Sequence, residues 1–129
     1  MGQRCLLDTN IIIDFTANLI PENGKQFISR IIDVEFNISI INKIEVLGFN
    51  DLSFKMRQLE AFLDLSNIFP LDETVSAKTI YLRRMYKKLK LGDAIIAATC
   101  LVYDFVLLTR NTKDFINIEG LNVINPFDM

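Results

Sequence analysis

The sequence predicts a single α/β domain built round a mainly parallel β-sheet. Three observations carry that expectation. Short apolar runs alternate with segments of helical periodicity along all 129 residues, the order expected of βαβ units. No linker, repeat or low-complexity stretch interrupts the alternation. Half of the residues are hydrophobic, which at this length is enough to bury a proper core without staples.

Each element follows from its residues. Arg4 to Leu7 reads as a short buried strand. Thr9 or Asn10 can cap a helix over Ile11 to about Leu19, stopped near Pro21. Glu22 to Ile32 places Phe27, Ile28, Ile31 and Ile32 on one side of a second helix. Glu35 to Ile41 alternates apolar and polar residues and predicts a strand. Asn42 can cap a short helix carrying Glu45, and Asp51 or Ser53 opens a longer one that turns Phe54, Leu59, Phe62 and Leu63 inward. Asn67 to Leu71 is a further strand. Val75, Thr79, Leu82, Tyr86 and Leu89 repeat at four and three, so residues 73 to 90 form an amphipathic helix that Gly92 breaks. Ala94 to Tyr103, apolar nearly all round, fits a helix packed on both sides. Phe105 to Thr109 is a buried strand, Thr112 to Ile116 a turn or short helix, and Leu121 to Ile124 the last strand.

Composition narrows the chemistry. There is no histidine, which removes a Ser-His-Asp triad, a Cys-His nucleophile and the usual histidine-containing zinc sites. Cys5 and Cys100 lie in apolar segments and read as buried, inert thiols in a reducing compartment. No apolar run reaches the length of a membrane span, and no charged-then-apolar leader pattern opens the chain. The net charge of −2 argues against generic electrostatic binding to nucleic acid. Its distribution differs from its total: Arg83, Arg84, Lys87, Lys88 and Lys90 place five positive charges in eight residues with no acid among them. Such a strip suits a phosphodiester backbone, or is simply a solvated helix face.

The acids are the telling feature. Asp8 ends the first apolar run, Glu45 opens a helical segment, Asp93 starts the apolar helix and Asp114 follows the last strong strand. Ligands of open parallel sheets bind beyond the carboxyl ends of the strands, and Asp8 and the Thr109-to-Asp114 turn follow strands there. Converging carboxylates repel one another, and a divalent cation relieves that repulsion; hard oxygen ligands suit magnesium or manganese. Thr9, Thr109 and Asn111 can orient a carboxylate or a water. Taken singly, each acid has a plainer reading, as a helix cap, a turn aspartate or a surface acid. Asp14, nearly two turns into the first helix, stays outside the set.

Three segments in order resemble the PIN-domain nucleases: Leu7-Asp8-Thr9-Asn10-Ile11, Gly92-Asp93-Ala94-Ile95-Ile96-Ala97-Ala98, and Leu108-Thr109-Arg110-Asn111-Thr112-Lys113-Asp114-Phe115. The resemblance runs from Arg4 to Pro126 and is nearest to the short toxin ribonucleases of toxin–antitoxin pairs, of the virulence-associated protein C type. It implies one PIN domain over residues 1–129, with a three-layer α/β/α architecture and a magnesium- or manganese-dependent endoribonuclease activity. It implies Asp8, Glu45, Asp93 and Asp114 as the catalytic, metal-binding acids, assisted by Thr9 and Asn111. It also implies an RNA substrate, a small antitoxin lying into or across the acidic groove, a homodimer and a cytoplasmic setting without membrane contact. Around Glu45 the sequence departs from the family, with Asn42 where threonine or serine is common. The rivals are a phosphoaspartyl enzyme, a non-catalytic PIN-like binding module and an RNA-processing nuclease. The first needs a second aspartate or an acidic doublet near Asp8, and position 10 is asparagine.

Overall fold

The computed structural model describes residues 3–48 and 54–129. In chain order the elements are β1 (Cys5–Leu7), α1 (Thr9–Thr16), α2 (Glu22–Val34), β2 (Asn37–Ser39), α3 (Ile40–Leu47) and α4 (Phe54–Leu63). They continue with β3 (Asn67–Phe69), α5 (Glu73–Met85), α6 (Leu91–Tyr103), β4 (Val106–Leu108) and β5 (Val123–Ile124), with 3-10 turns at Thr112–Asp114 and Pro126–Asp128. The strands form one sheet in the order β3-β2-β1-β4-β5, and every neighbouring pair is parallel.

Strand alternation sorts the core into two layers. Leu6 and Leu107 face the side covered by α5 and α6, where they join Val75, Leu82 and Ile96. Cys5, Leu7, Val106 and Leu108 face the other side, with Ile11, Ile12, Ile28, Val46 and Leu63 from α1 to α4. The result is the expected three-layer α/β/α arrangement. Ala94 to Cys100 are all buried, which is why α6 is apolar nearly all round. Cys5 and Cys100 are free and buried. Burial pushes the Cys5 thiol up to about 11 and the Cys100 thiol higher still, so both are unreactive. No helix among the described residues is long and apolar enough to cross a membrane.

Several boundaries differ from the sequence reading, each for a local reason. α1 begins at Thr9 because Asp8 is itself the cap, its carboxylate accepting from the Thr9 N–H at 2.8 Å. β2 ends at Ser39 rather than Ile41. Ser39 caps α3 by accepting from the Ile41 N–H at 3.1 Å, while Asn42 accepts from the Ser39 N–H at 2.8 Å in a reciprocal capping box. Asn42 is therefore inside the helix it was expected to cap. The amphipathic helix expected over 73 to 90 stops at Met85. Arg83 reaches over the turn and donates to the Leu89 carbonyl at 2.6 Å, and Gly92 is the second residue of α6 rather than a break. The start of the helix placed at Asp51 or Ser53 lies outside the described residues. The C-terminal turn was not foreseen. It packs so closely on α2 that a Cβ at Gly24 would lie 2.0 Å from the Pro126 carbonyl oxygen.

Topology positions the site. From β1 the chain moves outward to β2 and β3, then crosses back to β4 on the other side of β1. Chain direction across the sheet thus reverses between β1 and β4, and the crevice beyond their carboxyl ends is where such sheets take ligands. The Asp8 N–H donates to the Leu108 carbonyl at 2.9 Å, locking the two strand ends side by side.

Candidate active site

Asp8 leaves the end of β1 and is buried, so its carboxylate needs donors. It has four: the Thr9 N–H at 2.8 Å, the Thr109 hydroxyl at 2.7 Å, and the amides of Asn42 at 3.4 Å and Asn10 at 3.5 Å. Burial still outweighs these donors and raises its pKa, with the charge of Glu45 adding to the shift.

The threonines on either side each donate to an acid and accept from an asparagine amide. Thr109 donates to Asp8 and accepts from the Asn111 N–H at 3.1 Å and the Asn10 amide at 3.4 Å, which exhausts a hydroxyl. Thr9 donates to Glu45 Oε1 at 2.6 Å and accepts from the Asn42 amide at 3.1 Å. Asn42 thus joins the α3 cap, Asp8 and the Thr9–Glu45 pair. Asn10 does the same across the sheet, its carbonyl accepting from the Arg110 N–H at 3.0 Å. Neither asparagine stood out as part of the site in the sequence. The signal was present: a polar residue three before Glu45 and another two after Asp8. Asn111 contributes through its backbone. Asp14 stands apart, paired with Arg110 at 3.4 Å.

The other two acids are held differently. Asp93 lies in the first turn of α6 and is half-buried. Its pKa is raised to about 6, first by burial, then by the charges of Asp8, Asp114 and Glu45, with Lys90 opposing. Asp8, Asp114 and Glu45 are thus all within electrostatic reach of Asp93. Asp114 is exposed in the 112–114 turn. α6 lies against α3 here: a Cβ at Gly92 would sit in ordinary contact with Glu45 Oε2, at 3.9 Å.

Among the described residues no three acids or cysteines form a closed ligand group. The chemistry of the four acids fits: the ligands are oxygens only, and the neighbouring charges that add to the burial-driven rise of the Asp93 pKa would also favour a cation.

The basic strip divides. Lys87, Lys88 and Lys90 line a cavity of about 410 Å³ together with Asp93, Asp114 and Lys113. Arg83 and Arg84 do not line it; both are exposed, and Arg83 also clamps the turn through the Leu89 carbonyl.

Comparison with known proteins agrees with this geometry. The PIN domain family matches residues 5–121. Ribonuclease VapC1 of Rickettsia felis is 30% identical, over 92% of this chain and 93% of its own length. A toxin–antitoxin complex from Klebsiella pneumoniae contains a similar chain, with a TM-score of 0.75 at 31% identity, covering 97% of this chain and 99% of that one. VapBC-1 from nontypeable Haemophilus influenzae gives a TM-score of 0.78 at 25% identity, covering 94% and 96%. With fold, acid cluster and nearly full-length relatives in agreement, the chain belongs to the PIN-domain family, alongside the VapC proteins it matches.

Proposed function

We propose that this chain is a divalent-metal-dependent endoribonuclease, the toxin of a toxin–antitoxin pair, with residues 1–129 acting as one PIN domain. The observation that carries the proposal is the setting of Asp93: it lines a cavity with Asp114 and four lysines, and burial first, then the charges of Asp8, Asp114 and Glu45, raise its pKa. Likeness to Ribonuclease VapC1 and to chains of toxin–antitoxin complexes over nearly their full lengths supports the ribonuclease and toxin parts.

Asp8, Glu45, Asp93 and Asp114 would hold magnesium or manganese. When bound, such an ion makes water a stronger nucleophile and offsets charge building on the phosphoryl oxygens. The chain's own residues do the rest. Thr109, Thr9, Asn42 and Asn10 fix the direction of the Asp8 and Glu45 lone pairs, so little reorganisation remains when substrate arrives. The lysines hold the RNA backbone, and water replaces one phosphate ester oxygen, cutting the P–O bond. RNA in single-stranded regions is favoured, since a stacked duplex resists bringing one phosphate into a crevice. A cytoplasmic protein of this kind pairs with itself and with a small antitoxin lying across the acids. The exposed Ile80, Tyr81 and Met85 of α5 offer apolar surface for such contacts.

The test is direct. Purified free of partners, the chain should cut single-stranded RNA in magnesium and stop when chelator is added, while Asp8→Asn and Asp93→Asn proteins leave the RNA whole. Equal cutting by both variants would mean a contaminant, and the non-catalytic binding-module reading would replace this one.

A further inference from the structure

The cations and the neutral donors gather round different members of the acid cluster: the lysines line a cavity with Asp93 and Asp114, and the neutral donors touch Asp8 and Glu45. On one flank, the α5–α6 turn supplies Lys87, Lys88 and Lys90, and the 112–114 turn supplies Lys113 from the facing wall. Asp93 and Asp114 close the inner end of this groove, and the buried Leu89 and Ile118 form part of its lining. Tyr86 stiffens that lining, its hydroxyl accepting from the Glu119 N–H at 3.0 Å. None of the four lysines takes part in an ion pair among the described residues, where the pairs are Arg4–Glu35 and Arg110–Asp14. On the other flank, the side chains that touch Asp8 and Glu45 are neutral: Thr9, Asn10, Asn42 and Thr109. The cation of that loop, Arg110, is taken up by Asp14 at 3.4 Å and by the face of Phe127 at 4.4 Å. Lys43, two residues before Glu45 in α3, points from a different helix face.

We infer that the RNA strand is gripped on one side of the cleaved bond only, its flanking phosphates running from Asp93 and Asp114 out between Lys113 and the Lys87–Lys90 turn. The inference rests on the ribonuclease reading and adds to it a direction and a new contact, Lys113. Each acid on this flank has a lysine close by in sequence, Lys90 before Asp93 and Lys113 before Asp114. A flanking phosphate there meets lysines from two segments of the chain that take part in no ion pair among the described residues, while on the other flank the cation of the loop, Arg110, is already paired with Asp14. The groove volume of about 410 Å³ is within the range of sites that enclose small ligands, so it suits one nucleotide with its phosphate rather than a duplex.

The experiment uses a short RNA with one mapped cleavage bond. Single linkages on either side are replaced by uncharged methylphosphonates, and KM and kcat are measured in magnesium. A neutral linkage on one flank should raise KM roughly fivefold, the size of one exposed charge contact, and the same change on the other flank should leave it within twofold. Lys113→Gln should raise KM on unmodified RNA by a similar factor, lower the salt slope of binding by about one, and add nothing to the sensitive methylphosphonate. Arg84→Gln, outside the groove, should change none of these. Equal sensitivity on the two flanks, or none on either, overturns the inference while leaving the ribonuclease reading intact. Cleavage that survives Asp93→Asn overturns the ribonuclease reading, and this inference falls with it.

Discussion

The two halves of the acid cluster are built in opposite ways. Asp8 and Glu45, at the end of β1 and on α3, are tied down by Thr9, Thr109, Asn42 and Asn10. Asp93, on α6, is governed by burial first and then by the charges of Asp8, Asp114 and Glu45, with Lys90 opposing, while Asp114 is exposed in the 112–114 turn. One half is set by hydrogen bonds before any ligand arrives. The other half is under electrostatic stress that a cation would release. The lesson is that one site can combine a rigid reference point with a responsive one, and the same substitution should act differently on each.

The largest effect that separates the halves is the sign of the stability change. Asp8→Ala and Asp93→Asn should both abolish RNA cleavage, by a factor on the order of 10² or more. They should part in thermal melts without metal. Asp8→Ala strands the Thr9 N–H and leaves the Thr109 hydroxyl, Asn42 and Asn10 short of a partner, which costs about 1–3 kcal/mol. Asp93→Asn keeps the volume and removes the repulsion, so its Tm should rise. Added magnesium should raise the wild-type Tm and do little for either variant. Two variants that both lose stability would show that the α6 half is also held by contacts, and the contrast would disappear.

A pH series sharpens the same contrast with a smaller effect. Asp93 binds its proton with a pKa of about 6 in the folded chain against an ordinary value of 3.8. Between those values the folded state holds more protons than the unfolded state, so stability falls as pH rises. Below about 4 both states are protonated and above about 6 both are ionised, so this group adds no slope there. Asp8 is shifted in the same direction. Melts in chelator should therefore show Tm declining from pH 4 to 6, less steeply in Asp93→Asn, and magnesium should flatten the decline. A wild-type Tm that rises through this window would contradict the electrostatic account.

How much of this was legible depended on the kind of interaction. The layers were legible, because strands buried on both faces read as continuous apolar runs and α6 as an all-round apolar helix. The positions of Asp8, Glu45, Asp93 and Asp114 were legible because each stands where a buried element meets a loop, and their order resembled a family. Local boundaries were not. The α5 repeat continues through Tyr86 and Leu89, which pack on the core as periodicity required, yet the helix has already ended there. Periodicity reports which residues are buried, whereas the turn depends on Arg83 finding the Leu89 carbonyl, a contact that leaves no pattern. Asn42 shows the same limit. Its sequence position suggested a cap, but its links to Asp8 and Thr9 exist only once α3 is laid against α1. The division of the basic strip, and the recruitment of Lys113 from the other wall, likewise required the turn to be placed.

The smallest effect probes the tied half through one hydroxyl. Thr9 donates to Glu45 at 2.6 Å and accepts from Asn42 at 3.1 Å. Thr9→Val keeps the β-branched shape at the start of α1 and removes only the oxygen. Glu45 is exposed, so water can replace the lost donor, and the fold should lose no more than about 1 kcal/mol. What it loses is direction. Groups that orient a metal ligand are worth roughly 10- to 100-fold in affinity or rate, and the exposed setting of Glu45 points to the lower end. The magnesium concentration giving half-maximal cleavage should therefore rise about tenfold, and saturating magnesium should restore kcat to within a few-fold of wild type. Thr9→Ser, which returns the hydroxyl, should bring the magnesium requirement back. Asn111→Ala should move it far less, because Asn111 meets Thr109 through its backbone N–H. If Thr9→Val keeps the wild-type magnesium requirement, Glu45 needs no tether, and the hydrogen-bonded half of the site is Asp8 alone.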